Sequence, residues 1–190
     1  MSPVEIQIAG FGGQGVVLAG MTIGRGLTLY EDYHVSLTQS FGPEARGSAC
    51  SVQLVVDREP VLYPYMAAPD ILVAMSQEAY RKFTPKLKPN GLLLIEEDLV
   101  TVENLDPMLN QGVRLWRVPA VRLADELKRK MVLNIVMVGA FTAITGLLKP
   151  ENARRAVTES VPHGTEALNL AAFDKGFQYG RQLLASHQAA

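Results

Sequence analysis

A chain of 190 residues, 48% hydrophobic and 19% charged, is long enough to bury a core of ordinary α/β size and is read as one domain spanning 1–190. The formal net charge of -1 carries no basic excess, which excludes binders of nucleic acid and of anionic membrane surfaces that depend on one. A single cysteine, Cys50, excludes an internal disulfide and cannot supply the thiolates of an iron–sulfur cluster or a zinc ribbon.

The amino terminus, Met1-Ser-Pro-Val-Glu-Ile6, lacks the basic region and apolar segment of a secretory signal, so a cytoplasmic location is expected. Val4 to Ala9 alternates polar and apolar side chains and is predicted as a strand. Five glycines fall within residues 8–20, and Val16 to Leu29 then has the length and apolar distribution of a helix laid on a sheet. His34 to Ser40 reads as a short strand, Phe41 to Ser48 as a loop, and Ala49 to Val56 as a further strand rich in β-branched residues. A loop this short predicts an antiparallel pair beside a parallel sheet. Ile71 to Met75 is a continuous apolar run of the kind covered on both faces, and Ser76 is placed to cap the next helix. Lys88-Pro-Asn-Gly91 reads as a turn, and Leu92 to Ile95 and Val113 to Val118 as two more buried strands.

The remaining third is helical in character: Ala120 to Lys130, Leu133 to Leu147, a helix starting near Pro150, and Ala171 to Ser186. Val132 to Leu148 is seventeen mostly apolar residues, short for a membrane span and interrupted by Asn134, Thr142 and Thr145, so it reads as a buried or interface helix. The predicted fold is α/β: a Rossmann-like, mostly parallel sheet with an antiparallel strand pair and a helical carboxy-terminal layer.

Gly10, Gly12 and Gly15 fit the pattern G-x-G-x-x-G between a predicted strand and a predicted helix, with Gly13 adding backbone freedom. Glycines there let a phosphate approach backbone N–H groups at the positive end of a helix, which suits a nucleotide or coenzyme A. A dinucleotide site also needs an acidic residue at the end of the second strand. That end reads Thr38-Gln-Ser-Phe-Gly42, with Glu31 and Asp32 before the strand instead, so a free-standing NAD-dependent oxidoreductase lacks its ribose acid. Gly15 to Thr22 has the outline of a phosphate loop, but Met21 stands where the lysine belongs, which argues against ATP or GTP hydrolysis. The glycines also suit a structural reading, in which they let the first helix pack closely on the sheet as Gly20 and Gly24 would. Both readings stand at this point.

The second unusual segment is Thr38-Gln-Ser-Phe-Gly-Pro-Glu-Ala-Arg-Gly-Ser48. Ligands of doubly wound sheets gather beyond the carboxyl ends of the strands, so this loop is expected beside the glycine turn in one cleft. The candidate binding residues are accordingly Gly10, Gly12, Gly13, Gln14 and Gly15 from the turn, with Ser40, Glu44, Arg46 and Gly47 from the loop. Arg46 offers a donor fork for phosphate or carboxylate, although a solvated Glu44–Arg46 ion pair explains the same residues. No catalytic constellation accompanies them. His34, His163 and His187 share no metal-ligand spacing, Cys50 reads as a small buried residue, and Glu96-Glu-Asp98 as a solvated acidic turn.

Gly10-Phe-Gly-Gly-Gln-Gly-Val-Val-Leu-Ala-Gly20 and Gln39-Ser-Phe-Gly-Pro-Glu-Ala-Arg-Gly47 together resemble the gamma subunits of the 2-oxoacid:ferredoxin oxidoreductases, most closely that of the 2-oxoglutarate enzyme. The likeness continues through Pro69-Asp-Ile-Leu-Val-Ala-Met-Ser-Gln-Glu-Ala-Tyr80, Asn134-Ile-Val-Met-Val-Gly-Ala140 and Val161-Pro-His-Gly-Thr-Glu-Ala-Leu-Asn-Leu170. Ser48 departs from it, standing where a glycine is expected. The resemblance implies a multisubunit enzyme that converts a 2-oxoacid and coenzyme A to acyl-coenzyme A and carbon dioxide and reduces ferredoxin. Thiamine diphosphate and [4Fe-4S] clusters are implied for alpha and beta, and in some members delta, subunits. This chain has neither a thiamine diphosphate motif nor cluster cysteines, so it is expected to hold no cofactor and no catalytic residue alone. The resemblance casts it as a subunit that completes the active site and helps dock coenzyme A, or as a purely structural assembly subunit.

Overall fold

The strand signals assemble into one six-stranded sheet in the computed structural model, which describes residues 3–42, 49–103 and 105–188. Its strands are β1 (Val4–Phe11), β2 (His34–Phe41), β3 (Ala49–Asp57), β4 (Ile71–Ala74), β5 (Leu92–Glu96) and β6 (Arg114–Val118), in the order β2-β3-β1-β4-β5-β6. β1, β4, β5 and β6 are parallel, whereas β3 runs antiparallel to both β2 and β1. The expected antiparallel pair is present, with one difference from a doubly wound sheet: β3 separates β2 from β1. A parallel crossover needs a dozen or more residues, and residues 42–48 are too few, so the chain turns back as a hairpin and β3 takes the place beside β1.

The helices are α1 (Val16–Tyr30), α2 (Gln77–Phe83), α3 (Leu105–Asn110), α4 (Ala120–Glu126), α5 (Leu133–Thr145), α6 (Pro150–Ser160) and α7 (Glu166–Gln188). Strand alternation divides them between two faces. Ile6, Ile8, Val52, Leu54, Leu94 and Trp116 belong to the larger core, beneath α1, α5, α6 and α7. Ala9, Leu72, Ala74, Leu93 and Ile95 form the smaller core with Ala79, Tyr80 and Phe83 of α2 and Met108 of α3. Ser76 caps α2 as expected, its hydroxyl accepting from the Ala79 N–H at 3.2 Å. α1 lies close on β3, since a Cβ on Gly20 would come within 2.6 Å of Val52 and one on Gly24 within 3.2 Å of Leu54.

The carboxy-terminal helices depart most from the expected bounds at the end of α4 and the start of α7, while α5 ends two residues early at Thr145 and α7 two residues late at Gln188. α4 stops at Glu126 rather than Lys130, because the chain passes through a left-handed residue at Lys128 (φ 57°) before a single 3-10 turn at Lys130–Val132. α7 begins at Glu166, five residues before Ala171, directly after the turn that contains Gly164. The segment 105–110, unassigned from sequence, forms the short α3. No helix among the described residues is long and apolar enough to cross a membrane. The apolar run of α5 is instead buried against α7, and the two backbones nearly touch. A Cβ on Gly139 would lie 2.8 Å from the Phe177 amide nitrogen, and one on Gly176 would lie 2.7 Å from the Val136 carbonyl carbon.

A backbone cannot yield to a methyl group as a flexible side chain does. Gly176→Ala is therefore expected to cost about 3 kcal/mol and to lower the thermal unfolding midpoint by about 10 °C, measured by circular dichroism. An unchanged midpoint would show that α5 and α7 have room to separate.

Candidate functional site

The glycine turn stands at the carboxyl end of β1, where the chain reverses into α1 with left-handed backbone at Gly13 (φ 97°) and Gly15 (φ 73°). Gln14 folds back over the turn. Its Oε1 accepts the Phe11 N–H at 2.6 Å, its Nε2 donates to the Met75 carbonyl at 2.8 Å, and its backbone N–H donates to the Phe11 carbonyl at 3.1 Å. Gly10 leaves the space for this, because a Cβ there would run into the Gln14 amide and come within 3.1 Å of Met75. The side chain expected to offer a donor to a ligand thus fastens the turn to the end of β4.

The other side of the turn is fastened by Asn134 at the start of α5. Asn134 is 2% exposed, and its Nδ2 donates to the Gly15 carbonyl at 3.2 Å. A Cβ on Gly15 would lie 2.7 Å from the Asn134 side-chain carbon, so only glycine admits this contact. Gly12 and Gly13 remain exposed between the two anchors.

Strand register places the two strand ends that flank the second loop at the same edge, for Cys50 pairs with Gly10 on one side and with Phe41 on the other. Among the described residues, a small cavity of about 50 Å³ lies there, bordered by Gly10, Ser40, Gly42, Cys50, Glu78 and Lys82. Glu44, Arg46 and Gly47 fall outside the described residues.

A larger cleft opens on the opposite side of the glycine turn. It measures about 520 Å³ and is bordered by Gly13 and Gly15, by Arg129, Met131 and Asn134, and by Thr165 and Asn169. That volume falls in the range of small-molecule sites. α1, α5 and α7 all begin along its wall, so their amino-terminal backbone dipoles point the same sign of potential toward it as the Arg129 guanidinium does. Asn169 Nδ2 holds the third wall by donating to the Thr165 carbonyl at 2.9 Å and its hydroxyl at 3.1 Å. Such a wall favours an anionic group. Sequence reasoning missed this cleft, although turn residues at Pro162 to Gly164 and the end of α4 were its available signals.

Other side chains considered from sequence are accounted for by packing. Cys50 is 6% exposed, and burial pushes its thiol pKa up. His187 stacks on Trp116 with ring centres 4.3 Å apart, and no group of three His, Cys, Asp or Glu among the described residues could hold a metal. Glu96 corrects the expectation of a solvated acidic turn. It is the last residue of β5, fully buried, and its two carboxylate oxygens accept the Leu99 N–H at 2.7 Å and the Val121 N–H at 3.0 Å. Burial raises its pKa. Glu97 and Asp98 pair with Arg122 at the surface.

Gln14→Leu would leave the Phe11 N–H and the Met75 carbonyl without partners. The expected cost is about 2 kcal/mol, read as a roughly 30-fold faster amide hydrogen exchange at Phe11. Exchange at the parental rate would mean that the turn is held by other contacts.

The family model described as pyruvate ferredoxin/flavodoxin oxidoreductase matches residues 5–179. The chain is 43% identical over 180 residues to the 2-oxoglutarate synthase subunit KorC of Methanocaldococcus jannaschii, covering 94% of this chain and 95% of the relative. Among solved structures, the keto/oxoacid ferredoxin oxidoreductase gamma subunit of Geobacter sulfurreducens matches with a TM-score of 0.83 at 31% identity, over 95% of this chain and 97% of that one. The fold also recurs, at TM-score 0.84 and 22% identity, in 2-oxoglutarate:ferredoxin oxidoreductase from Magnetococcus marinus, where it spans 96% of this chain but 32% of that one. With the fold, the glycine turn and these likenesses in agreement, the chain belongs to the pyruvate ferredoxin/flavodoxin oxidoreductase family, as a gamma subunit of a 2-oxoacid:ferredoxin oxidoreductase.

Proposed function

We propose that this gamma subunit, acting as one unit over 1–190 in the cytoplasm, serves a 2-oxoglutarate:ferredoxin oxidoreductase that forms succinyl-coenzyme A and carbon dioxide and reduces ferredoxin. The observation that carries this reading is the near full-length likeness to a 2-oxoglutarate synthase subunit at 43% identity. Its partners are the alpha and beta, and where present delta, subunits. A [4Fe-4S] cluster does not fit this chain's own residues, because the one cysteine is buried with a raised thiol pKa, and thiamine diphosphate is assigned with the clusters to the partner subunits. No step through either group is assigned to it.

The part left to this chain is placement. In this reading Gly12, Gly13 and Gly15 present backbone donors, Gly10 and Gln14 hold the turn rigid, and Arg129 supplies charge for the phosphates of coenzyme A. Ser40, Glu44, Arg46 and Gly47 border the same edge in sequence and are proposed to extend this docking surface toward the partner subunits. The Magnetococcus structure supports this reading, since it contains the same fold as a third of a longer chain and holds 2-oxoglutarate, coenzyme A and succinyl-coenzyme A. A structural assembly role is favoured by a different observation: Gln14 and Asn134 tie both sides of the turn to the protein itself. A private NAD site is disfavoured because β3 stands between β1 and the strand that would present a ribose acid.

Anaerobic affinity purification of the full chain from its own cell is expected to recover cofactor-bearing partners and a dye-reduction activity dependent on 2-oxoglutarate and coenzyme A. Recovery without partners, together with NAD binding, would overturn the subunit reading. Within the purified complex, Arg129→Ala is expected to raise KM for coenzyme A roughly tenfold with subunit composition intact. An unchanged KM for both Arg129→Ala and Arg46→Ala would leave the assembly role in place of the docking role.

A further inference from the structure

The two edges of the sheet are guarded differently. β6 is five residues long and carries Arg114 and Arg117, the kind of charge that keeps an edge from pairing with another chain. β2 is eight residues long and, after His34, reads Val-Ser-Leu-Thr-Gln-Ser-Phe41, with no charge and no proline. Its pairing with β3 keeps one register from His34 to Phe41, so no bulge twists it away. An edge of this kind is a template for a further strand.

The backbone phase of β2 follows from its neighbour. The Gly42 N–H donates to the Ala49 carbonyl at 2.7 Å, in the register that pairs Phe41 with Cys50. Even-numbered residues therefore point their N–H and C=O groups at β3, and Val35, Leu37, Gln39 and Phe41 point theirs at the open edge. The side chains sort the same way. Val35 and Leu37 lie on the α1 face beside Gly24, while Thr38 lies on the opposite face against Gln53.

We propose that the chain self-associates through this edge, with β2 pairing antiparallel to β2 of a second copy about a two-fold axis at Thr38. The axis puts Thr38 opposite Thr38, Leu37 opposite Gln39 and Val35 opposite Phe41. Every apolar side chain then stays on the α1 face, every hydroxyl on the other, and no charge meets a like charge. A shift of one residue would place apolar side chains opposite hydroxyls on the wrong face. The outward backbone groups form about eight hydrogen bonds, and two sheets become one continuous sheet.

The surface above the edge fits the same partner. A groove of about 400 Å³ runs between α1 and β2, bordered by Met21, Leu29, Val35 and Leu37, with Met21 50% and Leu29 58% exposed; Arg25 also borders it, and its guanidinium donates to the Glu159 carbonyl of α6. α1 stands over β3, so in the pair the two α1 helices stand about 14 Å apart, three strand spacings. Met21 and Leu29 of the two copies fill that gap, and Phe41, 63% exposed, is covered by Val35 across the axis. A second copy supplies the matching groove at the same height because the two-fold relates them.

The test uses the purified full chain. Sedimentation is expected to give twice the 20.7 kDa chain mass, and Thr38→Lys, which sets two ammonium groups face to face, is expected to weaken the dimer roughly tenfold or more while Thr38→Val does not. Thr38 falls at a pair without backbone hydrogen bonds, where Cα atoms approach to about 4.5 Å, so Thr38→Cys is expected to form a disulfide-linked dimer on oxidation. Native Cys50 is buried, and the exposed control Ser186→Cys is expected to stay unlinked. A monomer at about 100 μM, a dimer unaffected by Thr38→Lys, or a dimer in which Thr38→Cys fails to link would overturn the proposal; the last two outcomes place the contact on another face, and the first leaves the β2 edge to a different chain.

Discussion

The hairpin between β2 and β3 has too short a connection to carry the chain back over the sheet, and the arrangement of the sheet edge beside the glycine turn follows from that limit. Forced to turn back, β3 inserts beside β1, and β2 is displaced to the outside of the sheet. The displacement brings the adjoining ends of β2 and β3, Phe41 and Ala49, to the carboxyl edge of β1. It also leaves α1 standing over an antiparallel strand, where Gly20 and Gly24 allow the helix to come close. One strand reversal thus determines which loops meet, which edge is open and where the first helix lies.

The glycine turn is held as tightly as a turn of exposed glycines can be. Gln14 ties it to the end of β4 and Asn134 ties it to the start of α5, each through a side-chain amide bonded to backbone. Backbone N–H groups at a helix start bind anions well only if they are already aimed, because ordering a glycine-rich loop costs conformational entropy at the moment of binding. The two amides place that cost in folding. The same fastening serves an interface with a partner subunit equally well, since a rigid surface also associates with less loss of freedom.

Buried polar groups outside the turn show a similar economy. Glu96 accepts two backbone N–H groups where β5 meets the loop before α4, and Asn169 closes the start of α7 on Thr165. Each satisfies backbone donors or acceptors that a chain end would otherwise leave unpaired in the interior. The tight α5–α7 crossing at Gly139 and Gly176 supplies the apolar counterpart, and it carries the wall of the larger cleft.

Much of this was legible from residues alone. The strands from Val4, His34, Ala49, Ile71 and Leu92, the helix from Val16 and the Ser76 cap all followed from periodicity and local chemistry, which act over a few neighbouring residues. The family likeness was also visible, in the glycine turn and the segments beyond it. Neither the place of β3 beside β1, the burial of Glu96, nor the use of Gln14 as a fastening was legible, because each depends on a partner far along the chain: Cys50 for Gly10, Val121 for Glu96, Met75 for Gln14. The cleft at Arg129 and Thr165 has the same origin. Local sequence determined which segments become strands and helices and where a glycine turn must bend; only tertiary packing decided which of those ends face one another, because spatial neighbours are chosen by burial and hydrogen bonding across the whole chain.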